Sequence, residues 1–299
     1  MHIPDGFLST PVWAALDAGA IVGVSVLSRS AGREVEETRI PLLGVMGAFV
    51  FAAQMINFPV GPGTSGHLVG AALLAYTLGP AAASFVMTAI LAVQALVFQD
   101  GGLLALGANV FNMAFAGVLA AYLPYRLLRG GNTAIFLGAS LSVLTSAALA
   151  MGELLISGVP IRPSLLVISV SLFVVSALIE GAITLAALRS LRALNPAWVK
   201  TPGRFTRVET LAVGSVAIVL AAFGVMLASG MPDGLERLLE DAGVAARAKP
   251  IIRAPLADYE AVFLRSEWLK KASAGLAGLA LIYTLCLLAG RLLARRGRS

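Results

Sequence analysis

Apolar runs of transmembrane length recur along the whole chain, and they dictate the solvent in which it folds. A helix crossing a bilayer needs roughly 17–25 mostly apolar residues. Nine segments approach that requirement, at about residues 12–28, 41–57, 66–79, 81–98, 103–124, 134–157, 164–188, 209–229 and 272–290. Composition agrees: 58% of residues are hydrophobic and 13% charged, where soluble domains carry about 25% charged residues. The expected fold class is therefore all-α, a polytopic transmembrane helix bundle. The third run is short and abuts the fourth through Leu78-Gly79-Pro80, which suggests a tilted or partly re-entrant element. Breaks between runs fall on turn chemistry at Pro59 to Gly66, Asp100-Gly101-Gly102, Gly130-Gly131-Asn132 and Gly158 to Pro163.

Basic residues set the orientation. With the N-terminus outside, the cytoplasmic segments hold 14 of the 22 Lys and Arg, from Arg29 to Arg298, and the short external loops hold almost none. The net charge of +6 thus reflects membrane topology and implies no nucleic-acid partner. No basic n-region precedes the first apolar run, so Met1 is expected to persist as an uncleaved, extracytoplasmic terminus. The single cysteine, Cys286, has no partner within the chain. Seven spans lie in residues 1–190, a basic linker follows over 191–208, and two further spans in 209–299 bracket a polar external loop, 231–270. The two parts differ in character, as in a fusion of two membrane proteins.

The chain has two histidines, His2 and His67. At position 2 an imidazole stands beside the terminal amine and the first amide, and these three nitrogens close fused chelate rings on one cation. Such a planar set suits Ni(II) and Cu(II), and His67 can fill the open in-plane position. The competing reading is an accidental histidine in a frayed tail, but Pro4, the Asp5-Gly6 turn and Phe7-Leu8 argue for a terminus folded back onto the bundle. His67 lies in the irregular stretch Gly63-Thr64-Ser65-Gly66-His67, and such backbone at membrane depth must be buried or line a cavity. A helix cap is the alternative there. Asn57 and Thr64 are the neighbours placed to orient its ring. Asp17, Glu153 and Glu180 fall inside apolar runs: Asp17 as a helix-interface or site-side partner, Glu153 as a solvated group near a helix end, Glu180 facing the interior. None is assigned as a ligand. Gly44, Ala48 and Ala52 form a small-residue stripe suited to close helix approach, either internally or against another subunit.

Met-His-Ile-Pro-Asp-Gly-Phe-Leu at residues 1–8 resembles the opening of the CbiM/NikM family, the substrate-binding (S) components of energy-coupling-factor importers for cobalt and nickel. Gly63 to His67 resembles the family's second ligand loop, in its nickel-type form. Gln94-Ala95-Leu96, Asp100-Gly101-Gly102 and Leu106-Gly107-Ala108-Asn109 resemble its central signature. Pro232-Asp233-Gly234-Leu235-Glu236 looks like the motif of the family's small two-span partner component, as a fused copy in residues 209–299. The resemblance implies Met1, His2 and His67 as metal ligands, Ni(II) as transported substrate with Co(II) as the alternative, and no resident cofactor. It also implies a transmembrane coupling (T) component, which Gly44, Ala48 and Ala52 could contact, two cytoplasmic ATP-binding subunits of the ABC-transporter kind, and a prokaryotic cytoplasmic (inner) membrane location. The chain lacks a phosphate-binding Gly-x-x-x-x-Gly-Lys-Ser/Thr loop, so it is expected to be a transporter subunit and not an enzyme. A self-sufficient secondary permease ordinarily needs charged or histidine clusters within its spans, and a bis-histidine cytochrome fits poorly with a ligand at residue 2. The loop 231–270, lacking His and Cys, is expected to act on loading or release without donating a ligand.

Overall fold

The computed structural model describes residues 1–34, 39–194 and 206–296; most of the expected linker lies outside this set. Its elements run α1 (Thr10–Glu34), α2 (Ile40–Gln54), a hairpin of β1 (Phe58–Gly61) and β2 (Thr64–Gly66), α3 (Ala71–Leu78), and α4 (Pro80–Val93) with a π-helical turn to Phe98. They continue as α5 (Leu106–Asn109), a π-helical stretch over Val110–Gly117, α6 (Val118–Leu127), α7 (Asn132–Ile156), α8 (Pro163–Leu194), α9 (Arg207–Phe223), the short α10 (Gly234–Asp241) and α11 (Glu267–Arg296). Among the described residues, six helices are long and apolar enough to cross a membrane, and α2 is a shorter apolar helix. The protein is an all-α polytopic membrane bundle.

The third expected span is where the structure departs from the pattern. A hairpin and an irregular stretch take up residues 58–70, and α3 follows with only 8 residues, about 12 Å of helix against a hydrocarbon core of about 30 Å. All its residues are buried, so this broken element is enclosed by protein, the condition under which irregular backbone is tolerated at such depth. Gly79, at φ +85°, turns the chain, and Pro80 starts α4.

Helix α4 runs through the middle of the bundle, whereas α1 lies at its edge with Ile21, Val22 and Val26 exposed toward lipid. The closest pairings join α7 to α8 and α2 to both α9 and α11, so the C-terminal helices pack onto the N-terminal part. That packing occupies the small-residue stripe. Gly44 lies against Tyr283 of α11, and Ala48 and Ala52 are buried. Of the two uses open to the stripe, internal packing and contact with a coupling subunit, the structure shows the first at Gly44, where α11 approaches α2 closely.

Candidate metal centre

The first residues are tied into the bundle by both main chain and side chain. Ile3 is fully buried; its N–H donates to Asn109 Oδ1 (2.8 Å), and its carbonyl accepts from Asn109 Nδ2 (3.1 Å) and Gly102 N (2.9 Å). The Asp5 carboxylate accepts from the N–H groups of Leu103 (3.0 Å) and Leu104 (2.8 Å). Gly102 must be glycine for this approach, since a Cβ there would sit 2.4 Å from the Asp5 nitrogen. Met1 and His2 are consequently buried, not frayed.

His67 emerges from β2, which the C-terminal part grips: Ser65 N–H donates to the Pro232 carbonyl (2.9 Å) and Ser65 Oγ to that of Met231 (2.7 Å). The ring donates from Nδ1 to the Leu68 carbonyl at 3.0 Å. That tautomer leaves Nε2 as an acceptor, and it takes a hydrogen bond from the Met1 amine at 2.7 Å. Burial, then the charge of the terminal amine, lowers the His67 pKa, so the ring stays neutral. The turn carrying it is clamped by Glu180 of α8, whose oxygens accept from Val69 N (2.7 Å) and Gly70 N (2.8 Å).

The His2 ring lies nearly parallel to that of His67, at 11° and 5.4 Å between centroids. His2 Nδ1 donates to Asp100 Oδ1 at 2.7 Å, while His2 Nε2 is buried without a partner. Asp100 Oδ2 accepts from the Tyr259 hydroxyl at 2.5 Å. Burial opposes ionisation of Asp100, but the charge and hydrogen bond of His2 outweigh it and hold the carboxyl below its usual range. Burial, then Asp100, pushes the Tyr259 hydroxyl well above its usual range, keeping it a donor. The π turn of α4 places the Gln94 carbonyl to accept the N–H of Asp100 at 3.0 Å; such turns often mark functional sites.

Asp233 stands at the start of α10. Its Oδ1 caps that helix, accepting from Leu235 N (2.7 Å) and Glu236 N (2.9 Å), and its Oδ2 accepts from the Met1 amine. Burial disfavours its charge, yet the charge of the adjacent terminal amine prevails and the carboxyl stays well below its usual range. A cavity of about 570 Å³ adjoins the cluster, lined in part by His2, His67, Asp100, Asp233, Glu236 and Tyr259.

The three expected ligand residues thus meet at one point, joined by groups the sequence reading passed over. Asp100, Asn109 and Asp233 lie within motifs singled out there, yet their roles follow from contacts across 98, 106 and 232 positions. Nothing local marks Tyr259. Asn57 and Thr64, expected to orient His67, do not: the Asn57 carbonyl accepts from Ser229 N (2.8 Å) and the Thr64 hydroxyl reaches the Pro62 carbonyl (3.5 Å). The Leu68 carbonyl holds the ring instead. Glu153 is buried rather than solvated, because Asn112 Nδ2 on the π-helical stretch bonds it at 2.9 Å. Asp17 makes a helix-interface bond from Gly107 N (2.7 Å). Among the described residues no three His, Cys, Asp or Glu side chains form a metal cage.

The bundle buries Met1 beside two histidines, and similarity to known proteins identifies a membrane component of metal uptake. Residues 2–198 match the CbiM family, described as cobalt uptake substrate-specific transmembrane region, and residues 207–295 match the PDGLE domain. A putative metal transport protein of Haloquadratum walsbyi is 38% identical over 67% of this chain and 94% of its own length. A putative fused nickel transport protein NikMN of Archaeoglobus fulgidus is 34% identical over 87% of this chain and 88% of its own. A crystal structure described as a transition metal transporter, 31% identical, covers 66% of this chain and 94% of its own with a TM-score of 0.55. The chain belongs to the CbiM family and carries a fused PDGLE domain.

Proposed function

We propose that this chain captures nickel, with cobalt as the alternative, at the extracytoplasmic face and delivers it to an ATP-driven energy-coupling-factor importer. Its partners in that reading are a transmembrane coupling component and two cytoplasmic ATP-binding subunits, in a prokaryotic cytoplasmic membrane with the N-terminus outside. The observation that carries the reading is the juxtaposition of the Met1 amine and His67 Nε2, 2.7 Å apart. Two nitrogens bound at about 2.0 Å to one metal, at right angles, lie about 2.8 Å apart. The first amide and the His2 imidazole complete four nitrogens.

Chelation at residue 2 uses His2 Nδ1, which the metal-free arrangement gives to Asp100. A rotation of about 180° about χ2, between broad and roughly equivalent wells, brings Nδ1 to the amide side. The same rotation swings Nε2, the orphaned atom, toward Asp100; the ring proton must move from Nδ1 to Nε2, which leaves Nδ1 bare for the metal and gives Nε2 an N–H for the carboxylate. A carboxylate bonded to the far nitrogen of a ligating imidazole fixes its orientation and raises its basicity. A copper ion would bind these donors more tightly still, so metal supply contributes to selection. Nickel rests on the likeness of residues 63–67 to the nickel-type loop and on the planar nitrogen set, which low-spin Ni(II) favours.

The test is to place one residue ahead of Met1 and verify the extended terminus by intact mass. The amine then moves off the chelate, and high-affinity nickel binding, read by calorimetry, is lost in a folded protein. Retained tight binding refutes the chelate. Yellow, diamagnetic nickel in the parent protein is the matching spectroscopic outcome; green, paramagnetic nickel in the finished complex shows a different ligand set.

A further inference from the structure

The geometry points to Asp233 of the PDGLE domain as an oxygen donor that takes the incoming cation before the nitrogen set closes around it. This deepens the preceding reading and rests on it. Asp233 Oδ2 touches the Met1 amine and lies 3.7 Å from His67 Nε2. With bonds of about 2.0 Å, neighbouring donors on one metal stand about 2.8 Å apart and opposite donors about 4 Å. The amine and His67 thus sit as neighbours, and Asp233 lies close to the position opposite His67. In the finished planar set that position belongs to the amide nitrogen between residues 1 and 2, so Asp233 holds it only until the amide takes over.

The need for such a donor follows from the ligands themselves. A hydrated divalent ion arrives with an octahedral shell of water oxygens, and the amide still carries its proton. A carboxylate can replace one water without losing a proton of its own, since both its oxygens here act as acceptors. The displaced water leaves into the adjoining cavity of about 570 Å³, ample for an ion with six waters at about 30 Å³ each. Oδ1, fixed by two N–H groups at the start of α10, aims Oδ2. The loop was expected to donate no ligand because it lacks His and Cys; an aspartate was the donor to look for.

The experiment follows nickel binding to the full chain by stopped-flow absorbance, comparing the parent with Asp233→Asn. Asparagine caps a helix as well as aspartate does, so α10 is retained while the anionic oxygen is lost. The buried Met1 amine then lacks its counter-charge, the melting temperature falls, and circular dichroism at the assay temperature verifies that the variant is folded. The parent is expected to show a weakly absorbing high-spin phase that converts to the yellow planar species. In Asp233→Asn the early phase disappears and the association rate falls about 10- to 100-fold, with the final spectrum and one nickel per chain unchanged. Asp233→Glu, which keeps the anion, restores part of the rate. Unchanged kinetics in Asp233→Asn overturn the assignment. Complete loss of binding in a variant that is folded at the assay temperature also overturns it, making Asp233 a permanent ligand. A parent that never forms the planar species refutes the four-nitrogen reading instead, and the two failures are told apart by the final spectrum.

Discussion

Replacing Glu180 by alanine removes the carboxylate that accepts the two N–H groups just after Leu68. Val69 N and Gly70 N both donate to its carboxylate, at 2.7 and 2.8 Å, in a position 1% exposed, so water cannot take over. An orphaned buried donor costs about 1–3 kcal/mol, and two of them, with the void left by the side chain, give about 3 kcal/mol or more. At roughly 2–4 °C per kcal/mol for chains of this size, the melting temperature should drop by about 6–12 °C, read by tryptophan fluorescence in detergent. The same turn carries the Leu68 carbonyl that fixes the His67 ring, so nickel affinity should weaken about tenfold, within the range seen when groups orienting a metal ligand are removed. Glu180→Gln keeps one accepting oxygen and should lie between the two. A melting temperature for Glu180→Ala within about 2 °C of the parent would refute the view that this carboxylate carries the turn.

Tyr259→Phe removes the hydroxyl from Asp100 Oδ2 and from Gln94 Nε2. The expected result is nickel binding about tenfold weaker with one metal per chain and little change in melting temperature; unchanged affinity by calorimetry would show that the PDGLE domain does not steady His2. Acid should weaken binding, because the amine between Asp233 and His67 and the first amide each lose a proton to the metal. His67 adds no third proton near neutrality: burial and the terminal amine lower its pKa below the ordinary value, so it gains a proton, and costs further affinity, only at more acid pH. Affinity should therefore fall at least about tenfold per pH unit, and proton release below one per metal, measured in buffers of different ionisation enthalpy, would contradict the amide ligand.

The sequence by itself determined the solvent of this protein, since apolar runs of that length have no other stable place, and with it the helical class. It also offered Met1, His2 and His67 as ligands, from the chelating potential of a histidine at position 2 and from the likeness to the CbiM/NikM family. It marked residues 66–79 as short and tilted or partly re-entrant, but hydropathy alone cannot separate a membrane-crossing helix from an enclosed, broken one: burial by surrounding helices lets the hairpin and loop survive at α3. Only the tertiary structure decided which groups hold the site together. Asp100 reaches His2 across 98 positions and Asp233 reaches Met1 across 232, and Glu180 reaches the His67 turn from α8. Partnerships of that kind depend on where helices cross and which buried donors need an acceptor, and a linear pattern records neither. The stripe on α2 makes the same point, since small residues permit a close neighbour and only packing chose α11.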